Sequence, residues 1–199
     1  MIKIIDRRAN SSLQISLETK EFDERRLLIQ GDVTQESAFE FARAVRYLNS
    51  RSQTKPIDIY INSMGGSIDA GMLIYDVIQT SPAPIRMFCL GCAYSMAALI
   101  FACAAKGRRF MLPNSKLMLH EPLINSPITG NTTSIKSLSE DLLAARTKIN
   151  ELLSKHTGKT VEEIEETTQY DHYFSAEESV RFGLCDRIIY FSDMVTEDM

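Results

Sequence analysis

Three residue types that together can attack and release an acyl group are spread along this chain: a serine, a histidine and an acid. Ser95 stands in Gly91-Cys92-Ala93-Tyr94-Ser95-Met96-Ala97-Ala98, between a strand-like run and an Ala-rich, helix-like run. A hydroxyl at such a turn suits nucleophilic catalysis. A helix N-terminus leaves backbone N–H groups unpaired, and its dipole favours developing negative charge. The Met96 N–H could then donate to a tetrahedral oxyanion. The competing role for Ser95 is a helix cap, for which serine is a favoured residue. A second feature is Asn62-Ser63-Met64-Gly65-Gly66-Ser67. Glycines straight after a strand let backbone approach a ligand without a Cβ, and the Gly66 N–H could be a second oxyanion donor. The competing role is a tight strand-to-helix turn. Neither phosphate-loop pattern, G-x-x-x-x-G-K-[ST] or G-x-G-x-x-G, occurs here, which argues against nucleotide binding.

The chain has three histidines. His156 precedes Thr157-Gly158 at the end of a helical run and is expected to be solvated. His172 adjoins Tyr173 and Phe174 and shows no partner. His120 ends the apolar strand Lys116-Leu117-Met118-Leu119-His120, on the edge where open α/β sheets place their sites. There it could act as general base toward Ser95 and return the proton to a leaving amine. The orienting acid could be Asp171 or Asp186, and spacing does not choose between them. The order Ser, His, Asp and the absence of G-x-S-x-G argue against an α/β-hydrolase.

The elements that would position these groups follow a strand-then-helix rhythm. Strands are expected over residues 26–30, 56–62, 86–90, 108–112, 116–120 and 186–189. Helices are expected over 37–51, 67–79, from about 95, and over the long run 133–156. In the first helix Phe39, Phe41, Ala42, Val45 and Leu48 form the apolar stripe. In the long one Leu138, Leu142, Ala145, Ile149 and Leu152 share a face. Capping boxes at Thr160-x-x-Glu163 and Ser175-x-x-Glu178 open two short helices. Strands alternating with helices imply a largely parallel sheet. Residues 125–133, with Pro127 and Gly130, read as an irregular connection.

The 199 residues suit one domain with a single core. The net charge of −4 lacks the basic excess of a nucleic-acid binder. Residues 87–105 form an uncharged run of 19, about the length of a membrane span. The interruption by Gly91, Tyr94 and Ser95 favours a buried strand, turn and helix instead. The first eight residues are charged and lack the pattern of a secretory signal. Cys89-x-x-Cys92 is expected to be two small buried residues rather than a redox pair. Four cysteines in a chain this long do not suggest a disulfide scaffold. Together these features lead us to expect a cytoplasmic chain.

The ordered set Tyr60-Ile61-Asn62-Ser63-x-Gly65-Gly66, Gly91-x-Ala93-x-Ser95-Met96-Ala97, Leu112-Pro113-Asn114-Ser115, Met118-x-His120-x-Pro122 and Ser175-Ala176-x-Glu178 resembles the Clp protease proteolytic subunit (ClpP) family. The resemblance runs from about residue 25 to 189. It implies an α/β, crotonase-like fold of repeated strand-helix units with a projecting long helix. The whole chain, 1–199, would form one peptidase domain, with 1–24 a divergent N-terminal segment and 133–156 an interface helix. It implies Ser95 as nucleophile, His120 as base, Asp171 rather than Asp186 as orienting acid, and backbone N–H groups of Gly66 and Met96 as the oxyanion hole. It implies an ATP-dependent serine endopeptidase subunit in stacked heptameric rings, a tetradecamer, fed with unfolded proteins by an AAA+ unfoldase. ATP would serve that unfoldase, and this chain would bind no cofactor or metal. Partners would exclude nucleic acid and membrane, and a second ClpP-type subunit could share the ring. Tyr60, Phe88, Leu90, Phe110, Leu112 and Ile189 match the family's pocket for the ATPase.

Several residues depart from the family pattern. Met64 replaces a Pro in the oxyanion loop. Tyr170 stands where an Arg often precedes the acid and links the rings. Pro127 falls in the segment that pairs with substrate, and Pro cannot donate to a ladder. Asp58 and Thr80 replace apolar docking positions. The alternative function is a non-catalytic or weakly active scaffold subunit of a mixed ring. An acyl-CoA enzyme of the crotonase fold and a phage-type maturation protease are further alternatives.

Overall fold

The computed structural model describes residues 2–8, 11–124 and 127–194. The first units of the sheet arise where runs of alternating burial meet capped helices. Strand β3 (Arg26–Val33) leads to helix α2 (Gln35–Arg51), which a capping box at Thr34 opens. Ala38, Phe41, Val45 and Leu48 of α2 are buried. Phe39 was expected in that stripe but is exposed. It stands two positions before Phe41, about 200° around a helix, so it lies on the opposite face.

Strand β4 (Ile57–Gly66) leads to α3 (Ile68–Thr80), and β5 (Ile85–Tyr94) leads to α4 (Met96–Ala102). Strands β3, β4 and β5 are parallel neighbours, as right-handed strand-helix-strand units require. Every residue of α4 is buried, which explains the uncharged run. Among the described residues no helix is long and apolar enough to cross a membrane.

Strand β5 runs past Leu90, where the sequence suggested its end, and divides its outer edge between two partners. Met87, Phe88 and Cys89 pair with β6 (Arg109–Met111), and Cys92, Ala93 and Tyr94 pair with β7 (Lys116–Leu119). The switch falls at Gly91, whose φ is +106°. Ser115 stitches the split. Its hydroxyl donates to the Cys89 carbonyl and accepts from the Gly91 N–H, both at 2.9 Å. Both backbone groups are thereby satisfied.

Helix α5 (Thr132–Thr157) follows, then α6 (Val161–Thr168), β8 (His172–Phe174), α7 (Ala176–Phe182) and β9 (Arg187–Ile188). The boxes at Thr160 and Ser175 both form, and Gly183 ends α7 in the left-handed conformation. Strand β8 pairs antiparallel with β7, and β9 pairs parallel with β6. The last described turn is a 3-10 helix, Phe191–Met194. The result is the expected mixed α/β arrangement with a parallel-dominated sheet. The C-terminal half of α5 buries Ile149, Leu152 and Leu153, while its N-terminal half leaves Ile135, Leu138 and Leu143 exposed.

The N-terminal segment carries structure that its sequence pattern did not announce. Strands β1 (Lys3–Arg8) and β2 (Ser11–Ser16) form a two-stranded antiparallel sheet. Helix α1 (Leu17–Asp23) follows, capped by Ser16. Asn125 and Ser126 of the expected irregular connection lie outside the described residues, and Pro127 is exposed.

Candidate active site

Register brings the candidate groups together. Strands β5 and β7 pair Tyr94 with Met118, and the Ser95 N–H donates to the Met118 carbonyl at 2.8 Å. Strands β7 and β8 pair Leu119 with His172. One step further along the antiparallel pair, His120 meets Asp171. Tyr94 and Tyr173 pack edge to face, with centroids 5.5 Å apart, and tie the two strand ends together.

Ser95 occupies the cap position of α4, yet its side chain makes no capping hydrogen bond. Its Oγ instead lies 2.8 Å from His120 Nε2. Its backbone has φ +55° and ψ −126°. An L-residue adopts this conformation at a cost of roughly 1–3 kcal/mol, and such strain clusters at functional sites. The other ring nitrogen of His120, Nδ1, is 3.4 Å from Asp171 Oδ1. With Nδ1 protonated toward Asp171, Nε2 is free to accept the Ser95 proton. His120 is largely covered, but Asp171 is 59% exposed, so water competes for its carboxylate.

The rival acid is occupied elsewhere. Asp186 Oδ1 lies 2.6 Å from Arg109 Nη2. Its Oδ2 accepts from Arg109 Nε at 2.9 Å, from the Arg109 N–H at 3.0 Å and from the Gly107 N–H at 2.8 Å. Burial alone would raise the Asp186 carboxyl, but these bonds and the Arg109 charge hold it below its ordinary value.

The glycine pair abuts the serine turn. A β-carbon on Gly65 would come within 2.8 Å of Ser95 Cβ, 2.7 Å of the Tyr94 carbonyl and 3.2 Å of the Met96 nitrogen. On Gly66 it would come 2.3 Å from the Val33 carbonyl. With φ of +100° and +152°, both positions require glycine. Three side chains from the same segment shape the approach to the glycines. Ser63 donates to the Gly31 carbonyl and accepts from the Gly65 N–H. Asn62 Oδ1 accepts from the Cys92 N–H at 3.3 Å. Met64 is exposed, its sulfur 3.9 Å from Cys92 Sγ. The sequence set all three beside the glycines without indicating their bonds. Cys92 is half-buried rather than buried, and all four cysteines are free thiols.

A small cavity of about 30 Å³ opens beside Ser95 and His120, walled by apolar side chains including Ile68, Leu99, Ile149 and Pro122. It can take a small apolar group next to the serine. Among the described residues no cluster of His, Cys, Asp and Glu could hold a metal ion.

The other two histidines differ from each other. His172 is exposed, its ring 4.4 Å from that of Phe174. His156 was expected to be solvated but is half-buried, its Nε2 2.9 Å from the Tyr75 hydroxyl. Burial, with Lys155 and Arg109 nearby, lowers His156 to about 4.

The six matched docking residues also gather. Phe88, Phe110 and Ile189 form a buried cluster, with Tyr60, Leu90, Leu112 and Met194 packed against it. Phe88 lies between Tyr60 and Phe110, with centroid distances of 5.2 and 5.0 Å. Asp58 is held by Arg86 through two bonds of 2.6 and 2.7 Å. Thr80 donates to the Asp76 carbonyl at the end of α3 and takes no part in the cluster. Tyr170 is 77% exposed beside Asp171.

Compared with known families, residues 10–191 match the model of the Clp protease family.

Proposed function

Because the chain belongs to the Clp protease family of serine peptidases, we propose that it is an endopeptidase subunit in which Ser95 attacks, His120 moves the proton and Asp171 orients the imidazole. The observation that carries this reading is the 2.8 Å approach of Ser95 Oγ to His120 Nε2 from a strained, non-capping serine. In the acylation step Ser95 Oγ bonds to the substrate carbonyl carbon as His120 Nε2 takes the hydroxyl proton. The amide C–N bond then breaks, and His120 gives that proton to the leaving amine. Water repeats the cycle on the acyl-enzyme and releases the second product. The Gly66 and Met96 N–H groups are the proposed oxyanion donors, and the close approach of Gly65 to Met96 supports their sharing one site. Losing one such donor typically costs about 10²–10³-fold in rate.

In this proposal the subunit works in stacked heptameric rings, and an AAA+ unfoldase consumes the ATP. The exposed Ile135, Leu138 and Leu143 on the N-terminal half of α5 support ring stacking. The aromatic cluster around Phe88 supports partner docking. The chain's own chemistry uses no cofactor. A single domain over 1–199 and a cytoplasmic site of action complete the reading. The exposure of Asp171 favours one second reading: a weakly active scaffold subunit whose acid is not held firmly.

A fluorophosphonate probe tests the proposal. It is expected to label the assembled protein at Ser95, and Ser95→Ala is expected to abolish labelling. An unlabelled assembly selects the scaffold reading. Casein turnover that rises only with a cognate ATPase and ATP tests the coupling.

A further inference from the structure

The sheet edge opposite Ser95 gathers cations that no carboxylate among the described residues pairs with. Parallel pairing brings the N-terminal ends of β4, β5, β6 and β9 to one edge. Two adjoining cavities of about 500 Å³ each open there and share Pro84 and Arg108. One is walled by Pro56, Arg86, Phe110 and Arg187, and the other reaches Lys106 and Lys155. Among the described residues no Asp or Glu lines either cavity, although the whole chain has net charge −4. Two acids whose partners lie at this edge are already engaged: Asp58 with Arg86, and Asp186 with Arg109 and the Gly107 N–H. Arg108, Arg187, Lys106 and Lys155 have no carboxylate partner among the described residues. His156, which also lines the second cavity, is neutral near pH 7. Four cations gathered along one edge repel one another unless an anion lies between them.

The clefts are continuous with the aromatic cluster. Phe110 belongs to that cluster and also walls the first cleft. The Arg86 guanidinium sits 5.8 Å from the Phe88 ring centroid, between cluster and cleft. We propose that this edge recognises an acidic segment of a protein partner, in which carboxylates flank an apolar anchor that packs on the Tyr60 and Leu90 rim of the Phe88 cluster. The acidic recognition adds to the docking reading above and rests on it only for the anchor. The cations extend along two joined clefts rather than converging on one point. That spacing suits a chain of carboxylates better than a single small anion.

The test is fluorescence anisotropy on the full-length assembled protein. One labelled peptide carries a Leu-Phe anchor flanked by Glu, and its control carries Gln. The Glu peptide is expected to bind about tenfold tighter at low salt, with the advantage shrinking as salt rises. Reversing Arg108 and Arg187 to Glu should erase that advantage and leave Gln-peptide binding unchanged. Phe110→Ala should weaken both peptides. Arg187→Gln alone, with melting curves for each variant, guards against a folding defect. Equal binding of the two peptides, or an advantage that survives the double reversal, overturns the proposal. So does displacement of the Glu peptide by equimolar inorganic phosphate, which would mark a small-anion site. Should only the Glu peptide bind, and only through Arg108 and Arg187, the acidic recognition stands and the docking role of the cluster falls. Binding of both peptides without a Glu advantage gives the reverse, and binding of neither overturns both.

Discussion

Gly65 faces Ser95 so closely that a β-carbon on the glycine would lie 2.8 Å from that of the serine. The contact joins the C-terminal end of β4 to the turn after β5, beside the proposed oxyanion donors. Gly65→Ala is therefore expected to cost activity through geometry. The added carbon must push Tyr94, Ser95 and Met96 aside, and its φ of +100° is strained for alanine. We expect a fall in kcat/KM of at least about 10²-fold. Fluorophosphonate labelling should slow in parallel. A variant with the wild-type labelling rate would show that the close approach does not position the nucleophile.

The two aspartates should separate activity from stability. Asp186→Ala leaves Arg109 as a buried, unpaired charge, with a side chain 2% exposed. Breaking a buried pair in this way costs about 3–5 kcal/mol, read as a lower urea midpoint. Asp171→Asn should leave that midpoint unchanged, because the carboxylate is 59% exposed. It should lower kcat by roughly 10²–10⁴-fold, the range expected when an imidazole loses its orienting acid. The opposite pattern would reassign the acid.

Ser95, the two capping boxes and the strand-helix rhythm are local signals, and each falls where the pattern put it. Asp171 and Asp186 both follow short helices near the chain end, so spacing left them equal. What separates them is the register of β7 against β8 and the reach of Arg109 from β6, both long-range pairings. Strands β1 and β2 and helix α1 are short and lack a sustained apolar period. His156 read as solvated because its partner, Tyr75, lies 81 residues away on α3.

The same Tyr75–His156 contact predicts an acid sensitivity. His156 is lowered to about 4 in the folded chain, against an ordinary value near 6.5. Above the ordinary value both states hold it neutral, and it contributes no pH dependence. Between about 6.5 and 4 the unfolded chain binds the extra proton, so stability falls as pH falls. The half-buried position limits the loss to about 1–2 kcal/mol. Melting temperature followed from pH 7 to pH 4 should drop less steeply in His156→Gln than in the parent. Identical slopes would place the acid sensitivity in other groups.

The long helix offers the last separation, between fold and assembly. Its C-terminal half is anchored by Ile149, Leu152 and Leu153, while Leu138 and Leu143 are 39% and 57% exposed on its projecting half. In the proposed assembly these exposed apolar side chains lie at the ring interface. Replacing both leucines with Glu removes no core contact, so circular dichroism and the melting temperature of the subunit should change little. Assembly should suffer instead, because two charges would have to be desolvated at a ring interface. Native mass spectrometry is expected to shift from a tetradecamer toward single rings or smaller species. A tetradecamer that persists with both charges in place would move the stacking interface off this helix.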